Sequence, residues 1–348
     1  MSKAAELAAL IGSQSALSNR NLIINGAMQV AQRGTSSTSR DNYFTVDRIK
    51  SNANNTDNLV ITSSQSTTSP DGFSSSYKVN VDTAESALAS DENLKIMYII
   101  EAQDLQLLDY GSSNAKTATL SFYVRSSTTG TYAVSIYASD SNTQIGGTYT
   151  INSANTWERK SITFVGNTAN AITNDNGAGL QIEWFLAAGS DLTGTVNTSW
   201  ATFALGRYAN GQAVNLMSAV NNNWHITGIQ LEIGSQSTPF EHRSFGEELA
   251  ACQRYYYETG ATAANDFAQK GYQAASQYAS NTLPHPTSMR SAPTLTKSGT
   301  FSVSGIGQPT AVAASVTNFV WQAQKDGNTG VWGIFSNSSG KFTLDAEL

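Results

Sequence analysis

Between Asn21 and Arg243 the sequence changes character at every second residue, and this constrains the fold more than any other feature. In Thr119-Leu120-Ser121-Phe122-Tyr123-Val124, Leu120, Phe122 and Val124 fall on one side while Thr119, Ser121 and Tyr123 fall on the other. Ala133 to Tyr137 repeats the pattern after a Ser-Ser-Thr-Thr-Gly loop. A period of two is what a strand with one buried face requires. Similar runs occupy Leu59 to Thr62, Tyr77 to Val81, Leu94 to Ala102, Trp157 to Val165, Gly179 to Leu186 and Trp224 to Ile233, with shorter ones at Asn21 to Asn25 and Phe44 to Arg48. No long helical pattern separates them. The class is therefore all-β, and the arrangement expected is a jelly-roll-like antiparallel β-sandwich. The polar stretches at 51 to 58, 63 to 76 and 166 to 178 are its loops, where a partner can reach.

The surface of such a sandwich must come largely from Ser, Thr, Asn and Gln, because only 13% of the 348 residues are charged while 40% are hydrophobic. The 20 Lys and Arg are outnumbered by 26 Asp and Glu, giving a net charge of -6, and they are scattered singly. Without a basic face, nucleic acid is excluded as a partner. The single Cys252 rules out an internal disulfide framework and reads as a small buried side chain in a helical run. Glu6 interrupts the apolar N-terminal stretch, so it does not read as a secretory signal. Nowhere does an apolar run reach the roughly eighteen residues that would suggest a membrane span. The expectation is a protein made in a cytoplasm, without membrane insertion, that leaves a cell by lysis or as part of a particle if it acts outside one.

Three segments are expected. Residues 1–18 form a short N-terminal helix with Ala4, Leu7 and Ile11 in one stripe. That stripe is too short to persist alone and suits attachment or trimerisation. Residues 19–253 form the sandwich. Near its end, Ser244-Phe245-Gly246-Glu247 has the S-x-x-E form that caps a helix, with Phe245, Leu249 and Cys252 on one face. Residues 254–348 form a small C-terminal β domain, with runs around Phe267, Leu295 to Val303, Val312 to Gln324, Gly330 to Phe335 and Phe342 to Leu344.

Little in the chain points to catalysis. His225, His242 and His285 are far apart and lack metal-ligand spacing, and no nucleophile elbow, P-loop or H-E-x-x-H is present. Glycan hydrolysis would need two carboxylates flanking a groove. Glu101 with Asp104, or Glu183 with a neighbour, are the pairs available, but strand carboxylates are more often solvated or paired. The expectation is a non-enzyme with no cofactor. A sandwich of this type can hold a structural calcium between loop oxygens, but no ligand set is identifiable. Sugar binding instead needs flat aromatic faces and planar polar partners. Trp157, Trp184 and Trp224 lie within strands and suit packing, and Trp200 suits a loop edge. In the C-terminal domain Trp321 and Trp332 flank a polar loop that carries Asp326 and Asn328, with Tyr272 and Tyr278 nearby in sequence. Trp332, Trp321, Asn328, Asp326 and Tyr272 are the candidate ligand-binding residues.

Two long strings carry a resemblance. The first is Asn19-Arg20-Asn21-Leu22-Ile23-Ile24-Asn25-Gly26-Ala27-Met28-Gln29-Val30-Ala31-Gln32-Arg33-Gly34-Thr35, followed by Tyr43 to Arg48. The second is Ile226 to Gly234, then Thr238-Pro239-Phe240-Glu241-His242-Arg243-Ser244-Phe245-Gly246-Glu247-Glu248-Leu249-Ala250 and Cys252 to Tyr256. Together they resemble receptor-binding modules of bacteriophage tail fibres, those of marine phages in particular. The resemblance implies a trimeric virion adhesin with a jelly roll like those of carbohydrate-binding modules. It also implies recognition of a bacterial surface glycan and no catalytic site. Its partners would be its own copies, other tail or fibre proteins reached through residues 1–18, and the glycan. The rival readings are a purely structural virion subunit and, third, a polysaccharide depolymerase. Pairing the string near residue 22 with that near 229 would close the sandwich, with Phe240 sealing one end.

Overall fold

The computed structural model describes residues 19–259, 264–273, 278–325, 330–337 and 339–348. The expected helix within residues 1–18 lies outside them. The chain divides into two compact units at Phe245/Gly246.

The first unit holds β1 (Ser36–Ser37), β2 (Ile49–Asn54), β3 (Val60–Ser66), β4 (Ser76–Thr83), β5 (Asn93–Glu101), β6 (Ala118–Ser126), β7 (Gly130–Ala138), β8 (Thr143–Ile151), β9 (Glu158–Phe164), β10 (Ala178–Ala188), β11 (Ala201–Thr202) and β12 (Asn223–Ile233). They form two six-stranded sheets, ordered β1-β3-β4-β12-β6-β9 and β11-β8-β7-β10-β5-β2. The chain passes repeatedly from one sheet to the other, which gives the jelly-roll-like sandwich. Alternation places Leu120, Phe122 and Val124 of β6 with Trp224 and Ile226 of β12 on one inner face. Leu94 and Ile96 of β5, Val134 and Ile136 of β7, and Ile182 and Trp184 of β10 line the other, and all belong to one core. Phe122 meets Trp184 edge to face, with ring centroids 5.9 Å apart.

Three features depart from the sequence expectation. Asn21 to Asn25 is tied to β12 without being a strand. The Leu22 N–H donates to Leu231 O at 2.9 Å and the Ile229 N–H to Gly26 O at 3.0 Å. Between them, Asn21 Oδ1 accepts from the Ile23 and Leu231 amides at 3.0 and 3.1 Å, so a side chain takes the place of ladder bonds. The two strings are thus bonded to each other, as the sequence suggested. Phe44 to Arg48 is not a strand either, because Arg48 sits at φ +71° and turns the chain before β2 begins. The third is β8, which hides behind Gly146-Gly147. A Cβ at Gly147 would stand 2.6 Å from Ile162 Cγ2, so close approach to β9 demands glycine where the apolar alternation should have continued.

The second unit, Gly246–Glu347, contains most of α1 (Phe245–Gln253). It also holds β13 (Tyr256–Thr259), β14 (Ala264–Gln273), β15 (Tyr278–Pro284), β16 (Thr294–Ser298), β17 (Ser302–Ser304), β18 (Thr310–Ala314), β19 (Asn318–Gln324), β20 (Gly330–Asn337) and β21 (Lys341–Asp345). Three three-stranded sheets result, β13-β21-β16, β14-β20-β17 and β15-β19-β18. Helix α1 begins directly after Ser244, as the S-x-x-E signal predicts. Its expected apolar face is only partly buried: Cys252 is inside and Phe245 exposed. The run from Leu295 to Val303 breaks at Gly299, which adopts φ +62°, and yields two strands instead of one. Among the described residues no helix is long and apolar enough to cross a membrane.

Candidate functional site

The core of the second unit is built from Phe301, Phe319, Trp321, Trp332, Ile334, Phe342 and Leu344. Trp321 is 0% exposed and Trp332 6%, and the two indoles meet edge to face with centroids 5.6 Å apart. This corrects the sequence reading of both as sugar platforms. Alternation in β19 and β20 turns them inward, where burying an indole is worth several kcal/mol and leaves no ring face for a ligand. Asp326 and Asn328 lie outside the described residues. Tyr272 is 73% exposed and lies opposite Val331 in the β14–β20 ladder. Of the three described candidates, only Tyr272 is exposed. In the first unit Trp184 and Trp224 are core, as expected. Trp200 lies at a loop edge, its indole N–H donating to Val165 O at 2.7 Å.

Surface aromatic rings instead collect on the outer face of the first sheet of the sandwich. The inner face of β6 takes Leu120, Phe122 and Val124, so Tyr123 is turned outward. Opposite it in register are Arg159 of β9 and Thr227 of β12. The β12 ladder slips just after Thr227, where Gly228 adopts φ +61°. A Cβ on Gly228 would stand 2.7 Å from Phe73 Cζ and 2.9 Å from Tyr123 Cδ2. The two rings therefore rest on bare backbone that no other L-residue could supply without strain.

Phe73 reaches this position from the loop between β3 and β4. There Pro70-Asp71-Gly72-Phe73 forms a tight turn, with the Phe73 N–H donating to Pro70 O at 3.1 Å and Gly72 at φ +87°. The Ser69 hydroxyl pins the same carbonyl segment by donating to Phe73 O at 2.6 Å. Phe73 lies 5.2 Å from Tyr123, 5.1 Å from Phe240 and 5.2 Å from His242, centroid to centroid. Phe240 and His242 are 4.9 Å apart. Phe240 walls a cleft of about 400 Å³, bounded also by Asp71, Gly72, Arg159, Ser237 and Pro239.

The segment carrying Phe240 is held by buried polar groups. Glu232 accepts from the Thr238 N–H at 2.8 Å and from its hydroxyl at 2.7 Å, and Gln230 Oε1 accepts from the Glu241 N–H at 2.8 Å. Glu241 in turn accepts the Asn19 and Asn21 amides at 2.6 and 2.8 Å. Asn19 and Asn21 of the first string and Gln230, Glu232, Thr238 and Glu241 of the second serve this bracing. The Thr238 carbonyl so fixed receives Arg159 Nη2 at 2.5 Å, and Ser121 Oγ lies 3.4 Å from the same nitrogen.

The carboxylates weighed from sequence as a hydrolytic pair do not flank this cleft. Glu101 is buried and Asp104 exposed. Glu183 is buried on the outer face of the other sheet. There Lys95 Nζ donates to its Oε1 at 2.8 Å and the Tyr208 hydroxyl at 2.6 Å, and Lys95 also bonds to Tyr208. Burial pushes the Glu183 carboxyl up and the Lys95 charge opposes the shift. Phe185, Leu192 and Ala209 form a small apolar cluster on the same face with Ala133, so the stretch around Leu192 to Ala209 roofs it. Sequence reading missed that roof, which has no periodicity.

No protein-family model matches the chain, and no curated protein matches it. Several solved structures are similar to part of it. One is the enzymatically active domain of tailspike protein 4 of bacteriophage CBA120, at 13% identity and a TM-score of 0.33, covering 62% of this chain and 22% of that one. The chain therefore spans only about a fifth of that solved domain's length. Another is the family 11 carbohydrate-binding module of a Clostridium thermocellum cellulosomal cellulase, at 12% identity and a TM-score of 0.30, covering 59% and 97%. A third is the xylan-binding module of a Paenibacillus barcinonensis protein, at 8% identity and a TM-score of 0.26, covering 58% and 94%.

Proposed function

We propose that the chain is a glycan-recognising adhesin of the phage tail-fibre type, and that its sandwich binds saccharide in the cleft of Phe73, Tyr123, Phe240 and His242. The observation that carries this reading is the placement of the rings over Gly228. A fold that needed them only for packing would bury them, yet Phe73, Tyr123 and Phe240 are half-buried and His242 is exposed. Ring faces match the C–H faces of sugars, and the polar rim can bond hydroxyls. A volume of about 400 Å³ lies in the lower part of the roughly 300–1,000 Å³ range of small-ligand sites. Asp71 is the one carboxylate among the lining residues, which favours binding over two-carboxylate hydrolysis at this place.

The tail-fibre assignment is supported by the two strings, whose residues brace the segment that forms the cleft wall. On this reading the protein is a trimer in the virion, joined to itself or to another fibre protein through residues 1–18. Tyr123→Ala is expected to weaken adsorption to a panel of bacterial envelope polysaccharides at least tenfold while the melting temperature stays unchanged. Undiminished adsorption by a folded variant would overturn the site. Light scattering is expected to return a trimer, and a stable 37.0 kDa species would remove that part of the reading.

A further inference from the structure

Lys78, Arg125 and Arg159 on the outer face of the first sheet have no carboxylate within ion-pair distance among the described residues, and of the three only Arg159 lines the cleft. Lys160 is paired with Glu158 at 2.5 Å, Arg20 with Glu232 at 3.8 Å and Arg243 with Glu241 at 3.7 Å. The partners of Arg159 are neutral: the Thr238 carbonyl and the Ser121 hydroxyl, both on Nη2. A guanidinium carries five N–H donors in a rigid fork. Those on Nε and Nη1 are uncommitted, while the Thr238 anchor fixes the direction of the fork. The glutamates that could have neutralised it are otherwise engaged, Glu232 by Thr238 and Glu241 by the backbone of Asn19 and Asn21.

We infer that the cleft selects acidic saccharides, with the sugar's anionic oxygens taken by the Arg159 fork while a ring stacks on Tyr123 and Phe73. This rests on the saccharide reading of the cleft and adds the ligand's charge to it. A charge-assisted, two-pronged contact is shorter and roughly twice as strong as a neutral one. Asp71 carries the opposite sign on the same rim, in an exposed turn with no ion pair among the described residues. It therefore orients the ligand: hydroxyl or amine donors face Asp71 and the acid faces Arg159. His242 and the Tyr123 phenol are the other titratable groups lining the cleft. Carboxylate and phosphate share the required chemistry, and the probes below separate them.

Binding of the full chain to oligogalacturonate, to the same oligomer with its carboxyls reduced to alcohols, and to a phosphorylated mannan tests the inference by calorimetry. At least one acidic probe is expected to bind about tenfold more tightly than the reduced oligomer, a difference of ~1.4 kcal/mol. The preference should shrink as salt is raised. Arg159→Gln is expected to bring the ratio of acidic to reduced affinity close to one, and Asp71→Asn to increase it. Which acidic probe binds tells carboxylate from phosphate. Equal binding of acidic and reduced oligomers, still sensitive to Tyr123→Ala, overturns the charge selection and leaves the saccharide site standing. Absence of binding by all three probes overturns both.

Discussion

The two units use aromatic residues in opposite ways. The second unit is small, and it spends its large rings on its own interior: Trp321, Trp332, Phe301, Phe319 and Phe342 share one core. The sandwich has two broad sheets to bury between, with Trp184, Trp224 and Phe122 at their centre, and so can leave Phe73, Tyr123 and Phe240 at its surface. The lesson concerns size. Surface buried on folding rises with chain length, so a small unit has few apolar groups to spare and a large one can dedicate some to a partner. An indole beside a polar loop is weak evidence for a binding platform in a small unit. An outward-facing tyrosine over a glycine bulge is stronger evidence in a large one.

The sharpest break between the units is expected at the tryptophans. Trp332→Ala should cost roughly 3–5 kcal/mol through lost burial and the cavity left behind. Scanning calorimetry should register this in the transition of Gly246–Glu347 and leave that of the sandwich in place. A neutral Trp332→Ala would return that indole to the surface and undo the contrast.

A second effect belongs to the sandwich alone. His225 is buried against Trp157, 5.9 Å between ring centroids, with its Nδ1 3.2 Å from Ser76 Oγ. Burial, helped by the charges of Arg125 and Lys78, pushes its pKa down to about 3. A depressed histidine leaves the folded state holding fewer protons than the unfolded one below pH 6.5. Its contribution is therefore intact above that value and is lost progressively as pH falls toward 3, by on the order of 4 kcal/mol. Glu158 acts in the same direction at lower pH. Partial desolvation raises its pKa, but bonds from Lys160, Ser153 and Asn152 outweigh this and hold it at about 2. Its contribution is present above its ordinary value of 4.5 and fades as pH falls toward 2. Denaturant melts from pH 7 to 3 should show the sandwich losing stability, and His225→Gln should flatten the slope between pH 6.5 and 3. An unchanged slope in that variant would place the acid sensitivity elsewhere.

The smallest effect is expected at Tyr272. Exposed on β14, it should tolerate Ala within about 0.5 kcal/mol and leave saccharide binding as it was. Lost binding in that variant would move recognition back to the second unit.

The sandwich was legible because period-two alternation survives wherever one face is buried, as in β6, β7 and β12. Tyr123 could be read as outward-facing for the same reason. β8 was lost because packing against Ile162 replaced an apolar residue with Gly147, and Phe44 to Arg48 misled because alternation cannot report the left-handed turn at Arg48. The cleft itself was not legible. Phe73 comes from a polar loop without periodicity, Phe240 from a string that read as a seal, and Arg159 from a strand end, and only the tertiary fold brings them together. The terminal tryptophans erred in the other direction, since neighbouring polar residues in sequence do not report which way a strand residue points.

The central claim is that the rings over Gly228 hold the ligand. A crystal structure of the full chain with the saccharide that binds it most tightly tests this directly. The account predicts a sugar ring against Tyr123 and Phe73, with its polar groups within hydrogen-bond distance of Arg159 and Asp71. Saccharide seated instead beside Tyr272 and Val331, with the Gly228 cleft empty, would contradict it.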